Sequence, residues 1–196
     1  TSMLHAVVPV MRARRTRVIL LAPTGRAAKV AARRAGRPAH TIHHTIYSTS
    51  ADRQGRLNFQ LKSNPYPEGA LYIVDEASMM DDQATPMSGR SRGILQDLLS
   101  FVYEVDPSSR ILLVGDPAQL PPVGLIRSPA LSRKYLLENL GLQVTQANMT
   151  QVKRQALSSG ILVNATRLRQ AMVDGLKGDI PALSAAEDVQ VLESPW

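Results

Sequence analysis

Leu71-Tyr72-Ile73-Val74-Asp75-Glu76-Ala77-Ser78-Met79-Met80-Asp81-Asp82 is the stretch whose reading decides the fold. Its first four residues form an apolar, β-favouring run with the length of a buried strand. Two adjacent acids, Asp75 and Glu76, end it. A strand that stops on a carboxylate pair puts charge at the carboxyl edge of a sheet, where ligands sit in open α/β folds. There Asp75 can hold Mg2+, directly or through water, and Glu76 can orient and deprotonate an attacking water. The same residues also read as a strand followed by a polar turn, and the rest of the chain has to choose.

Two further apolar runs end in distinctive loops. Arg17 to Leu21 reads as a buried strand and leads into Ala22-Pro23-Thr24-Gly25-Arg26, then a helix from Ala27 to about Arg34. Pro23 holds its φ, Thr24 is placed to cap the helix, and Gly25 lets another backbone come close. The helix N-terminus, with Arg26 and Lys29 beside it, is suited to phosphate. Arg110 to Val114 is the third run, followed by Gly115-Asp116-Pro117-Ala118-Gln119-Leu120-Pro121-Pro122. Its prolines stiffen the loop before any ligand arrives, and the Gln119 amide is placed to read a γ-phosphate or a water. Helices between the strands predict a parallel α/β sheet with one ligand edge. Asp75 and Glu76 then correspond to the Walker B arrangement of nucleoside triphosphatases. The Gly-rich phosphate loop that normally precedes the first helix is absent before Met3 to Arg14, the first helical-looking run. Either no nucleotide binds, or the chain begins inside that loop and Thr1 supplies the hydroxyl that touches Mg2+. The second reading is preferred.

The remaining segments are read more coarsely. Gly36 to Ala39 reads as a loop. In the run His40 to Tyr47, His40 and His44 have i, i+4 spacing but no nearby Glu or Cys completes a zinc set. Thr41 instead caps a short helix, Ile42 and Ile46 pack inward, and His43 reaches a phosphate or a core carbonyl. Arg56 to Lys62 alternates polar and apolar residues, so Ser48 to Gly69 is expected to form a hairpin or flap. Asp81 to Gly93 reads as a loop, Ile94 to Tyr103 as a helix, Ser128 to Leu140 as a short helix and Gln143 to Met149 as a strand. Gly160 to Met172 has helical spacing, and Arg154 precedes it as an arginine available to a phosphate.

The 196 residues suffice for one domain and part of another, and at 44% hydrophobic they sustain a core. Aromatics are only 4%, so base stacking is not the main binding mode. With no cysteine there are no disulfides, no cysteine-ligated zinc and no thiol catalysis. No apolar run approaches the length of a membrane span. A net charge of +7 and a pI near 10.1 point to a polyanionic partner, with nucleic acid first.

Taken in order, APTGRAAKV (22–30), HTIHH (40–44), VDEASMMD (74–81), GDPAQLPPVG (115–124) and TQVKRQ (150–155) resemble motifs Ia, Ic, II, III and the start of IV of the RecD-type helicases of superfamily one. The resemblance implies a RecA-like parallel sheet flanked by helices, of the P-loop NTPase type, with a small hairpin insertion. Residues 1–145 would be a first motor domain lacking the start of its phosphate loop, with 47–69 as a pin-like hairpin, and 146–196 the opening of a second. It implies ATP and Mg2+ as cofactors, and single-stranded DNA, duplex junctions and other repair subunits as partners. It also implies 5′-to-3′ movement and unwinding in recombination and repair, in the bacterial cytoplasm and away from membranes. Asp75 and Thr1 would hold Mg2+, Glu76 would be the catalytic base, Gln119 the γ-phosphate sensor and Arg154 the arginine finger. Asp116 would join the nucleotide-binding set. Pro23, Thr24, Gly25, Thr41 and His43 would face the DNA backbone, flanked by Arg26 and Lys29. Without the phosphate-loop lysine, the chain alone is expected to bind ATP poorly. Two other readings stand beside this one. One is a nucleic-acid-binding or assembly subunit with a decayed nucleotide site. The other is an ATP-independent nuclease using Asp75, Glu76 and Asp116.

Overall fold

Residues 2–51, 55, 57–66, 68–84, 92–149, 159–173 and 183–189 are described by the computed structural model. The chain divides into two units, Thr1–Thr145 and Gln146–Trp196. In the first unit, β1 (Val18–Ala22), β2 (Ala39–Thr41), β5 (Leu71–Val74) and β6 (Arg110–Leu113) form one sheet, ordered β2-β1-β5-β6, with every pair parallel. The registers Ala22↔Thr41, Leu21↔Val74 and Val74↔Leu113 bring the strand ends into one line.

Alternate side chains of these strands serve two cores, which is why the strands read as continuous apolar runs. Val18, Leu20 and Ile73 face α1 (Ser2–Ala13) and α2 (Gly25–Ala35), packing with Leu4, Val8 and Ala31. Ile19, Leu21, Tyr72 and Val74 face the other way, toward α3 (Ile42–Ile46), α4 (Ile94–Tyr103) and α5 (Arg133–Glu138). Ile42, Ile46, Leu95, Leu98 and Val102 are fully buried there. Each such side chain contributes about 1.5–3 kcal/mol by leaving water. Thr41 caps α3 by accepting from His44 N at 3.2 Å, as its spacing predicts.

β3 (Tyr47–Ala51) and β4 (Leu57–Leu61) pair antiparallel in a separate two-stranded sheet, matching the alternation expected of the hairpin. It is rooted by Lys62 N donating to Ile46 O at 2.7 Å and by the Tyr47–Phe59 ring contact.

Two expectations need correction. Part of the stretch read as a Gly36–Ala39 loop is strand: Ala39 opens β2, three residues too short to show a period and defined only by pairing with β1. Gln143 to Met149 contains no strand. Leu142 and Val144 pack onto the core from irregular backbone, and the alternation beyond them has no ladder partner. Within Asp81–Gly93, residues 85–91 lie outside the described residues. Residues 81–84, 92 and 93 are irregular, as a loop should be, but the Asp82 side chain is tied into the core. It accepts from Gln96 N (3.1 Å) in the first turn of α4, from Gln96 Nε2 (3.0 Å) and from the Tyr135 hydroxyl (2.7 Å), joining α4 to α5.

The second unit is described through α6 (Gly160–Val173) and residues 183–189. Asp188 caps α6 by accepting from Gly160 N at 2.8 Å and Ser159 Oγ at 2.6 Å. Buried Asn164 exchanges two 2.9 Å bonds with the Ser184 backbone.

Candidate active site

The carboxyl rim of the sheet carries most of the described residues that the sequence singles out in the first unit. Asp75 follows β5 directly and is 4% exposed, its N–H bonded to Leu21 O at 2.9 Å. Its position is therefore set by the neighbouring strand. Glu76 is half-buried and adopts φ 59, ψ 38, one of two non-glycine residues with positive φ among those described. That left-handed conformation costs an L-residue roughly 1–2 kcal/mol, and such strain clusters at functional sites. It turns the chain sharply into the 3-10 turn Ala77–Met79.

The loop after β6 lies against this turn. Ala77 N donates to Val114 O at 2.8 Å, and Val114 N to Val74 O at 2.9 Å. A Cβ on Gly115 would lie 2.7 Å from Ser78 N and 3.3 Å from Ala77 N, so glycine is required for this approach. Asp116 then folds its own loop, its Oδ1 accepting from Ala118 N at 3.0 Å and its carbonyl from Gln119 N at 3.0 Å. The Gln119 side chain is exposed.

The other half of the rim carries the phosphate-type features. Thr24 caps α2 by accepting from Ala27 N at 3.2 Å. No atom lies within 4 Å of where a Gly25 Cβ would stand, leaving the helix start open. Arg26 and Lys29 are exposed on its first turns. Pro23 and Thr24 follow β1, while Thr41 ends β2 and His43 lies just beyond it, and the two strands are paired at Ala22↔Thr41. Thr41 is half-buried and His43 exposed. His40 and His44 stack with centroids 5.7 Å apart, and no group of three metal-ligating side chains occurs among the described residues. Thr1 and Arg154 lie outside the described residues.

Two groups were not foreseen from sequence. Ser78 is 2% exposed and its Oγ has no hydrogen-bond partner among the described residues, and the same holds for Asp81 Oδ1. A buried hydroxyl so placed is costly unless something completes it. In the sequence, Ser78 is one more small residue after the acids, and only its burial sets it apart. Carboxylate oxygens on a rigid strand end suit Mg2+, and Ser78 offers unused hydrogen-bonding capacity beside them. The residues present therefore fit a magnesium ion.

A parallel sheet covered by helices on both faces, with this carboxyl rim, is the α/β fold of the RecA-like P-loop NTPases. The chain belongs to the AAA domain family, whose model matches residues 1–193. It is similar to the ATP-dependent RecD2 DNA helicase of Deinococcus radiodurans, with 36% identity over 165 residues covering 83% of this chain. The chain spans 18% of that relative's length. The resemblance to RecD-type helicases seen in the motifs is thus borne out over most of the chain. Among the described residues no helix is long and apolar enough to cross a membrane.

Proposed function

We propose that this chain is part of an ATP-dependent DNA helicase motor, in which ATP hydrolysis drives 5′-to-3′ translocation on single-stranded DNA and duplex separation during recombination or repair. On this reading Thr1–Thr145 belongs to the first RecA-like motor domain and Gln146–Trp196 opens the second. The observation that carries it is the interlock of the two loops at the rim: Glu76 in a left-handed turn, with Ala77 N bonded to Val114 O and Gly115 against Ser78.

Asp75, with Thr1, would hold Mg2+, and bound Mg2+·ATP supplies a phosphoryl group whose charge the metal helps neutralise. Glu76 orients the attacking water and takes its proton. Gln119, on its stiff loop with Asp116, reads the γ-phosphate end of the site. Arg154 is assigned to the developing charge on the phosphoryl group. Because the Gln119 loop touches the Glu76 turn through Gly115, a shift at one strand end is transmitted to the next. Pro23, Thr24, Gly25, Thr41 and His43 face the DNA backbone, with Arg26 and Lys29 adding charge. The β3–β4 hairpin acts as the pin that parts the strands.

The test is phosphate release by the intact protein, with and without single-stranded DNA, in wild type and Asp75→Asn. The reading expects DNA-stimulated release that needs Mg2+ and collapses in the variant. Release that persists in Asp75→Asn with an unchanged Mg2+ requirement would contradict it.

A further inference from the structure

The first 51 residues contain nine basic residues and no acidic one, whereas the remainder holds fourteen basic against sixteen acidic. The entire positive excess of the chain therefore lies in its first quarter. Of the nine, Arg26 and Lys29 sit at the start of α2, on the carboxyl rim. The other seven, all arginines, sit elsewhere.

Arg12 is in the last turn of α1 and Arg33 and Arg34 in the last turn of α2. Arg14, Arg15 and Arg17 form the link from α1 into β1, and Arg37 the link from α2 into β2. Where a helix hands over to a parallel strand, the chain is at the amino rim of the sheet, opposite Asp75. α1 and α2 pack side by side on the same sheet face, so two stretches separated by fifteen residues in the chain deliver their arginines to one rim. Arg37 Nη2 donates to Val18 O at 2.8 Å, at the first residue of β1. Burial and then the neighbouring Arg17 and Arg12 charges hold the Arg37 guanidinium below its ordinary value, as expected for like charges gathered without a counter-ion.

Two loops from neighbouring elements bring acids to this rim. Asp106, before β6, is occupied by Ser108, Ser109 and Gly69 N. Glu68, before β5, and Glu104, between α4 and β6, each contribute one exposed charge. Among the described residues no ion pair joins any of the seven arginines to a carboxylate. Two helix C-termini attract cations, but their partial charges of about half a unit each are matched by one or two arginines, not seven. The remainder is unneutralised and repulsive in the isolated chain, the signature of a surface completed by a polyanion.

We propose that this amino rim is a second nucleic-acid contact, gripping the phosphodiester backbone without reading sequence, on the side of the sheet away from the Asp75 edge. The use of arginine alone favours phosphate, because the planar guanidinium fork meets phosphate oxygens in pairs. No Phe, Tyr or Trp occurs before Tyr47, so no base-stacking platform accompanies the arginines. The contact needs neither ATP nor the roles given to Asp75 and Glu76.

The experiment titrates the intact protein with fluorescent duplex and single-stranded DNA of mixed sequence across a series of KCl concentrations. The variants are Arg14→Ala/Arg15→Ala/Arg33→Ala, the same three positions changed to Lys, and Arg26→Ala/Lys29→Ala on the other rim. For each DNA phosphate that an arginine no longer neutralises, the slope of log K against log salt should flatten by about 0.9 on duplex or about 0.7 on a single strand, and the form that loses more phosphates, once each slope change is divided by its own value, is the form bound. The triple alanine variant is expected to flatten the slope, to melt no lower than wild type because repulsion is relieved, and to keep its DNA-independent ATP hydrolysis. The triple lysine variant should keep the slope and lose part of the affinity. Arg26→Ala/Lys29→Ala should flatten the slope further when combined with the triple alanine variant, whatever the fate of the proposed motor activity. An unchanged slope and affinity in a folded triple alanine variant would overturn the proposal. So would a lowered melting temperature with unchanged DNA binding, or binding of polyglutamate but not DNA through these arginines.

Discussion

Gly115→Ala probes the interlock between the two strand-end loops most sharply. Gly115 has no left-handed φ to protect, so only the approach of its neighbours forbids a side chain. The added Cβ would meet Ser78 N at 2.7 Å, Leu131 Cδ1 at 2.9 Å and Ala77 N at 3.3 Å. Leu131 can rotate away, but the two backbone nitrogens cannot. They belong to the turn that Ala77 N anchors to Val114 O and that Glu76 enters in a strained conformation. Relief must come from separating the loops, at an overpacking cost of about 1–3 kcal/mol. For a domain of this size that lowers Tm by about 2–4 °C per kcal/mol. Urea unfolding followed by circular dichroism gives the free energy, and phosphate release gives the functional effect. Gly25→Ala is the stability control. Its Cβ meets nothing within 4 Å and its φ is ordinary, so it should stabilise by about 0.4–1 kcal/mol through the unfolded chain. If Gly115→Ala leaves both stability and phosphate release untouched, the two loops do not press on each other and the proposed coupling is wrong.

Glu76→Gly removes the left-handed strain together with the carboxylate. It should unfold no more easily than wild type by thermal melting, while DNA-stimulated phosphate release is lost; a drop of more than about 1 kcal/mol in stability would show that the Glu76 side chain is mainly structural. Asp106 is held down to about 2, first by the Ser108 hydroxyl and then by that of Ser109. A carboxyl depressed on folding stabilises above its unfolded value and loses that contribution as pH falls through its folded one. Asp106→Asn should therefore destabilise at neutral pH and flatten the acid limb between about pH 4 and pH 2. Parallel acid-unfolding curves for variant and wild type would remove Asp106 from that role.

Much of the rim was legible because each of β1, β5 and β6 is an apolar run ending in residues a strand would not choose. Pro23-Thr24-Gly25, Asp75-Glu76 and Gly115-Asp116-Pro117 break the pattern abruptly, and parallel pairing lines the breaks up. The cap by Thr41 and the inward turn of Ile42 and Ile46 followed from helical spacing alone. β2 was not legible, since three residues carry no period and their strand character comes from the neighbour at Leu20–Ala22. Nor was the alternation at Gln143–Met149 a guide, because a ladder needs a partner and none is there among the described residues. Asp82 looked like a loop acid, and only the fold brings Gln96 and Tyr135 to it. The left-handed backbone of Glu76 and the buried hydroxyl of Ser78 leave no mark in a sequence, since both arise from loops that meet only in three dimensions. The arginine rim is visible as composition but not as a place until α1 and α2 are seen to end side by side.

Glu76→Gln tests the central claim most directly, because it keeps the size of the side chain and removes only its capacity to accept the proton of the attacking water. Single-turnover ATP hydrolysis by the intact protein on single-stranded DNA should fall by at least about a hundredfold, with nucleotide affinity nearly unchanged. Hydrolysis within a few-fold of wild type would contradict the assignment of this rim as the catalytic edge of the motor.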